Sequence, residues 1–369
     1  MFLRNVWYVA GWTSEFQPGA PVGRTIIDEP IVFFRTSDER LIALTDRCPH
    51  RWAPLSRGRV EGDNLRCMYH GVKFDAQGRC VEVPGQDRAA PSLCVRAFPI
   101  VERHRLVWIW MGATERADAN LIPDASMLDE PNRRFRFGQL DYRANYTLIN
   151  DNLLDLSHLA FVHENTLGRS VGKPEEDRPP PKIPGGAGAK AIERGVRVEG
   201  WNTGSAARTV VESQDAPDGD LWYRIDFLVP GIYISHSQMH APGAAEACNG
   251  GPPNPGLEPL TDSMSIQAVT PLTNRTTRYF YSTGPRDGDM DEAEAEAIWN
   301  VVKDAFREDL AMIEAQQRIL DFHPGDRMGG IAADRGLTLF RRLMKRLIAE
   351  ESPLESEKDE LPRPLAITL

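Results

Sequence analysis

The stretch that most constrains this chain is Cys48–His70, CPHRWAPLSRGRVEGDNLRCMYH, which carries two matched ligand pairs. One residue separates Cys48 from His50, two separate Cys67 from His70, and sixteen lie between the pairs. Two thiolates and two imidazoles are the donor set of a Rieske [2Fe–2S] cluster, in which the cysteines bind one iron and the histidines the other. Each loop must then give one ligand to each iron, and a Cys and a His this close together do so from a tight turn. Pro49, Pro54 and Gly58 allow turns, and Gly71 allows close backbone approach to a sulfide. The competing reading is a zinc knuckle. Zinc sites space their pairs C-x2-4-C and H-x3-5-H, which mixed Cys-x-His pairs match poorly.

At 369 residues the chain is long enough for two domains with their own cores. Its net charge is −10, with no basic stripe to neutralise phosphates, which argues against nucleic-acid binding. No run approaches the ~18 apolar residues of a membrane span, and the N-terminus lacks the charged and apolar regions of a signal peptide. A cytoplasmic protein is expected. Two of the five cysteines are assigned to the cluster, and Cys80, Cys94 and Cys248 are expected to be reduced and structural.

Residues 1–113 read as short strands: 30–35 (PIVFFR), 40–46 (RLIALTD), a hairpin around Asp75–Gly78, and 105–110 (RLVWIW), where Trp108 and Trp110 alternate as core residues. His104, among charges, is expected at the surface. A polar linker at Ala113–Pro123 separates an all-β domain (1–115) from a larger one (120–369). In the second, Phe135–Tyr146 reads as a strand and Tyr146–His163 as a helix, with Leu148, Leu153, Leu156, Leu159 and Phe161 packing inward. Residues 164–190, with PPP and PGGAG, read as a lid. Strands are expected through 191–239 and 263–284, interrupted by a Gly/Pro-rich loop at 241–259. Residues 291–322 form the longest helix, acidic in its first turn, with an apolar stripe through Ile298, Val302, Ala305, Phe306, Ile313 and Leu320. The tail after Glu350 is expected to be poorly ordered.

The cluster stretch, in the form CPHR…L..G…C.YHG, resembles the Rieske non-haem iron oxygenases. The opening FLRNVWYVAGW and the run MYHGVKFDAQGRCVEVPGQ resemble the vanillate and dicamba O-demethylase group within them. Respiratory Rieske proteins carry two further cysteines that bridge the cluster loops. Ala53 and Tyr69 stand at those positions here, which points to the oxygenase branch. The resemblance implies an α+β fold, with a Rieske domain followed by a helix-grip catalytic domain whose antiparallel sheet packs with helices.

A second constellation is Asn152-x-x-Asp155-x-x-His158-x4-His163. In an ideal helix the two histidines lie roughly 140° apart, so the helix must distort or end near Phe161–Glu164 for both to face one ion. Taken alone, they read equally as polar-face or helix-terminal histidines. Two histidines and a carboxylate with open positions mark non-haem Fe(II) oxygenases. Asp309 supplies a carboxylate on the apolar stripe, where it is costly unless paired or metal-bound. Glu308 beside it falls among polar positions and is the weaker candidate. The resemblance implies that His158, His163 and Asp309 hold a mononuclear Fe(II). It also implies that Asp155 bridges His158 to a cluster histidine of a neighbouring subunit as the electron route, and that Asn152 lies near the iron.

Two strands are expected to line a substrate pocket, 234–241 (ISHSQMHA) and 263–271 (SMSIQAVTP). His236 falls where related demethylases have an Asn that touches the substrate acid, and Gln267 where many have a His. Both depart from that pattern, which favours a polar aromatic without requiring a carboxylate. His240 and His323 are expected to be structural. The resemblance implies the homotrimeric oxygenase component of a two-component monooxygenase. A flavin/[2Fe–2S] reductase using NAD(P)H would supply it with electrons, and its reaction with O2 would be O-demethylation of a methoxylated aromatic or hydroxylation of an aryl methyl group. The rivals are a ring-hydroxylating dioxygenase and a Rieske electron carrier. A carrier needs only the first hundred residues, so Asp155, His163 and Asp309 argue against it.

Overall fold

The structure is a computed structural model that describes residues 1–89, 91–164, 166–167, 188–206, 218–326 and 328–355. Most of the expected lid at 164–190 lies outside the described residues, as does the chain after Glu355. The N-terminal region contains β1 (Trp7–Trp12), β2 (Val22–Ile26), β3 (Glu29–Arg35), β4 (Leu41–Thr45), β5 (Arg59–Glu61), β6 (Asn64–Arg66), β7 (Lys73–Phe74), β8 (Cys80–Glu82), β9 (Ile100–Arg103) and β10 (Leu106–Trp110). They form three antiparallel sheets in the orders β1-β10-β9, β2-β3-β4 and β5-β6-β7-β8.

Strand alternation assigns each side chain to a core. In β3, Ile31 and Phe33 enter the main core, whereas Val32 and Phe34 pack with Cys48, Cys67 and Phe74 beneath the cluster loops. In β10, Val107 and Ile109 point to the main core. Trp108 and Trp110 turn the other way and meet Trp7, Trp12, Ile232, Ile266 and Phe280. The residues expected to link two domains are folded down, with Ile122 buried in this tryptophan-rich cluster. The two regions are also stitched by backbone bonds, Ile27 N–H to the Pro271 carbonyl and Asp28 N–H to the Leu272 carbonyl, both 2.9 Å.

The C-terminal region is built on β11 (Arg136–Tyr142), β12 (Lys190–Ile192), β13 (Gly195–Ala206), β14 (Asp218–Leu228), β15 (Ile232–His240), β16 (Thr261–Thr273) and β17 (Thr276–Pro285). They form one antiparallel sheet in the order β11-β17-β16-β15-β14-β13-β12. Its helices are α1 (Tyr146–Leu154), α2 (Leu159–Val162), α3 (Ala244–Ala247), α4 (Glu292–Phe322) and α5 (Arg335–Glu355). The short α3 lies in the Gly/Pro-rich insert, where the Asp220 carboxylate accepts the N–H groups of Gly243 and Ala245.

The helix α4 starts at a capping box in which Asp291 and Glu294 each accept the other's backbone N–H at 2.9 Å. Ala305, Asp309, Ile313 and Gln317, spaced by four, are its buried row. Helix α5 was not anticipated from the sequence. Leu337, Phe340 and Met344 join the main core, and the Phe340 ring meets Phe227 edge-on at 4.6 Å. Burying each such side chain contributes about 1.5–3 kcal/mol. The Glu351 carboxylate then accepts the N–H groups of Arg4 and Asn5, each at 2.7 Å, so the chain is anchored past Glu350. No helix among the described residues is long and apolar enough to cross a membrane.

Candidate metal centres and substrate cavity

The two cluster loops share one hydrogen-bond pattern. The Cys48 N–H donates to the Ala53 carbonyl and the Cys67 N–H to the Val72 carbonyl, five residues on in each loop. Each Cys carbonyl accepts an N–H four residues on, from Trp52 and from Gly71. Both of those residues have positive φ, 58° and 79°. At Gly71 a Cβ would also lie 2.6 Å from Pro84 Cγ, so glycine is required there. The loops are thus alike, and they sort their ligands by depth. Cys48 and Cys67 are buried, while His50 and His70 are exposed with ring centroids 4.6 Å apart.

Burial pushes the Cys48 thiol up to about 11, an effect opposed by the His50 N–H and reinforced by the neighbouring Cys67 sulfur. Two buried sulfurs side by side, amide N–H groups at one of them, and two paired imidazoles at the surface fit a Rieske cluster with its histidine iron outermost. Cys80, Cys94 and Cys248 are all free thiols, the first and last buried and Cys94 exposed.

The second constellation forms because its helix breaks. Helix α1 stops at Leu154, and Asp155 takes extended backbone (φ −110°, ψ 95°) while its carboxylate caps the Ser157 N–H at 2.8 Å. A single tight turn, Leu156–His158, then leads into the short α2. His158 closes that turn and His163 lies just past the end of α2, so the two do not sit on one regular helix, and they meet Asp309 with one ligand atom of each within 4.8 Å of the others. The Asp309 Oδ1 lies 3.5 Å from His158 Nε2 and 3.3 Å from His163 Nε2.

In each histidine the other ring nitrogen is occupied. The His158 Nδ1–H donates to the Asp155 carbonyl, and the His163 Nδ1–H donates to Glu308 Oε2 at 2.9 Å. This fixes the tautomers so that both Nε2 lone pairs face Asp309. Asp309 and His163 are almost wholly buried. Burial drives His163 down, but its bonds with Asp309 and Glu308 outweigh this and raise it overall. The Asn152 amide donates to Asp309 Oδ1 at 2.9 Å and stands 3.4 Å from His158 Nε2. Two imidazole nitrogens and a buried carboxylate converging on one point fit a divalent metal ion with open positions.

Several expectations are corrected. Glu308 is not a bystander on a polar face, because it holds His163 and also accepts the Thr166 hydroxyl at 2.6 Å. Its neighbour in sequence to Asp309 was a signal, and only the packing of α2 on α4 gives it meaning. Phe161 was expected to pack inward and is 66% exposed, since the helix expected to carry it ends at Leu154. Within this chain the Asp155 carboxylate accepts the Ser157 N–H and its backbone carbonyl accepts the His158 Nδ1–H, while the expected bridge to a neighbouring subunit's histidine concerns a second copy.

Next to Ser157 opens a cavity of about 430 Å³ between the iron-site helices and the sheet. Leu156, Leu159, Ala160, Val302 and Phe306 form one wall, and residues of β15 and β16 the other. Gln267 lines it, its amide oxygen accepting the Tyr279 hydroxyl at 2.6 Å. His236 does not. Strand alternation turns it to the opposite face, where its Nε2 pairs with Asp262 Oδ2 at 2.9 Å, and Ser235 and Ser237 face the cavity instead. His104 sits in a turn against Asp129 at 2.6 Å, and His323 is exposed beside Asp326 rather than structural. His240 is fully buried, with no hydrogen-bond partner at either ring nitrogen among the described residues.

A cluster-bearing β domain joined to a helix-covered antiparallel sheet with a two-histidine, one-carboxylate site is the architecture of a Rieske non-haem iron oxygenase. Residues 6–99 match the Rieske [2Fe-2S] domain model and residues 142–350 match the vanillate O-demethylase oxygenase C-terminal domain model. The chain belongs to this family of Rieske monooxygenase oxygenase components, and its cofactors are a [2Fe–2S] cluster and a mononuclear iron.

It is 38% identical to the iron-sulfur subunit of the toluene-4-sulfonate monooxygenase system of Comamonas testosteroni, over 95% of this chain and 99% of that one. It is 34% identical to the oxygenase component of dicamba O-demethylase of Stenotrophomonas maltophilia, over 86% and 88%. The crystal structure of dicamba monooxygenase bound to dicamba superposes with a TM-score of 0.79 at 28% identity, covering 95% of this chain and 99% of that one. An oxygenase component of this kind works with a reductase or ferredoxin partner and an aromatic substrate.

Proposed function

We propose that this protein hydroxylates a methyl or O-methyl carbon of a polar aromatic compound, using O2 and electrons that originate from NAD(P)H. On an O-methyl group the product is a hemiacetal, which loses formaldehyde. One oxygen atom enters the substrate and the other leaves as water, balanced by the two electrons and two protons supplied. The observation that carries this reading is the joining of site and cavity. Ser157 and Leu159, the neighbours of His158 on either side, line the space where a substrate would lie.

Bound iron supplies the O2 chemistry of non-haem Fe(II) oxygenases. Around it, Asp309 contributes the anionic ligand, while Asp155 and Glu308 hold the two imidazoles in their binding tautomers. Phe306, Val302 and Leu159 give the aromatic ring an apolar wall that excludes water, and Gln267 and the serines meet its polar substituent.

The working form is a homotrimer in which Cys48, His50, Cys67 and His70 of one copy would hold the electron-delivering cluster beside the iron-binding residues of the next. Trp52, Met68 and Tyr69 are exposed around the cluster histidines, and Phe161 is exposed beside the iron-site helix. A second copy joining these surfaces would cover both apolar patches and let Asp155 reach an incoming histidine. The test of function is turnover with a surrogate reductase against methylated, methoxylated and sulfonated aromatics, scored by formaldehyde release and product mass. Iron content of about three per chain and oxygen insertion into a methyl carbon are expected. Cis-diol products would overturn the reading in favour of ring dioxygenation.

A further inference from the structure

The sheet wall of the cavity carries a pattern that the iron site does not explain. Strands β15 and β16 pair in the register Ser235↔Ser265 and Ser237↔Ser263. Two adjacent cross-strand pairs are therefore all serine, and all four side chains line the cavity. Paired Cβ atoms lie about 4.5–5.5 Å apart, and the next pair on the same face is about 7 Å along the strand. The result is a grid of hydroxyls the size of one substituent on an aromatic ring.

The Ser265 hydroxyl donates to the Ser282 carbonyl at 2.7 Å and accepts from Gln267 Nε2 at 3.3 Å, so its one hydrogen is committed within the wall. Ser237 and Ser263 have no side-chain hydrogen-bond partner among the described residues. The facing wall is apolar, and no Lys, Arg or His is among the described lining residues.

We propose that Ser235, Ser237 and Ser263 donate to the head group of the substrate while Ser265 buttresses the grid from Ser282, and that this group is a sulfonate. The inference rests on the aromatic hydroxylation argued above and narrows it. A carboxylate is planar and is matched best by a bidentate fork such as Arg, which the described wall lacks. A sulfonate presents three oxygens about a tetrahedral sulfur, so it can take one hydroxyl donor per oxygen from a grid that is not coplanar. Its charge is spread over three atoms and it is too weak a base to accept a proton near neutrality. Rotatable neutral donors therefore satisfy it without a counter-charge. With the sulfonate on the serines, the ring lies along Phe306 and Leu159 and its far end is directed to the iron site.

The experiment measures binding by calorimetry to the iron-loaded, cluster-containing protein. The probes are 4-methylbenzenesulfonate, 4-methylbenzoate and the uncharged 4-methylanisole. The wild type is expected to bind the sulfonate at least tenfold more tightly than the benzoate. S237A is expected to weaken sulfonate binding about tenfold and S237A/S263A about a hundredfold, each hydroxyl being a donor to a charged acceptor. Affinity for 4-methylanisole should change less than twofold in both, which also reports that the cavity is intact. Equal or tighter wild-type binding of the benzoate overturns the proposal, as does a sulfonate affinity unchanged in S237A. Hydroxylation of other methyl arenes together with either result would leave the broader function standing and reject the sulfonate cradle alone.

Discussion

Replacing Glu308 tests how the iron site is held together. Its Oε2 accepts the His163 Nδ1–H at 2.9 Å and the Thr166 hydroxyl at 2.6 Å, and it touches no other member of the triad. Glu308→Ala removes the acceptor, so nothing at that position keeps the His163 proton on Nδ1 and the ring can turn or take the wrong tautomer. Loss of such an outer partner lowers metal affinity about 10–100-fold, or about 1.4–2.8 kcal/mol. Glu308→Gln keeps an oxygen acceptor in the same place and removes the charge, so its loss should stay below tenfold. The assay titrates Fe(II) into iron-stripped protein against a competing chelator, with the reduced-cluster EPR signal as the measure of an intact fold. An Fe(II) affinity for Glu308→Ala within twofold of wild type, with the cluster signal intact, refutes the reasoning. Equal large losses in both variants would assign the effect to charge and not to the hydrogen bond.

Cys67→Ala should abolish the cluster EPR and absorption signals while the second site still binds one iron per chain. Gly71→Ala should lower cluster occupancy in the purified protein, because positive φ and the contact with Pro84 oppose any Cβ; full occupancy would contradict this. Asp155→Asn should keep both metals yet nearly stop turnover, read as single-turnover oxidation of a pre-reduced cluster. Co-expressed cluster-site and iron-site mutants should recover activity in mixed oligomers if electrons cross between subunits, and inactive mixed trimers would reject that route. Asp262→Asn should destabilise the fold by about 1–3 kcal/mol, because it removes the charge that pairs with His236 and with the buried Arg133 guanidinium, which keeps Glu130. Burial pushes the Asp262 carboxyl up, but bonds from His236, Gln238 and Arg133 carry it well below its ordinary value. Its contribution is therefore complete above the unfolded value near pH 4 and is lost as pH falls toward the folded one. The difference in melting temperature between wild type and variant should shrink below about pH 4.

The cluster was legible in the sequence because its ligands are local. Two turns place four side chains, and the spacing Cys-x-His and Cys-x-x-His carries nearly all of that geometry. The strands around it were legible for a similar reason, since period-two runs such as 30–35 and 105–110 declare two buried faces. The anomaly of Asp309, a carboxylate on an apolar stripe, could likewise be read along one helix.

Other features depend on what packs against what. Nothing in the spacing of His158 and His163 says that α1 ends at Leu154 and that a tight turn and the short α2 carry the two histidines, with Phe161 left exposed. Glu308 reads as a surface residue until α2 is laid against α4. His236 and Ser237 are neighbours whose roles are exchanged by the face on which the strand is presented, and a single residue of register decides it. Helix α5 takes its meaning from β13, more than a hundred residues earlier, and from the N–H groups of Arg4 and Asn5, more than three hundred residues earlier. Local spacing determines which side chains can act together within one turn. Tertiary packing determines which of them meet across elements, because those contacts are made by residues whose separation along the chain carries no information about their separation in space.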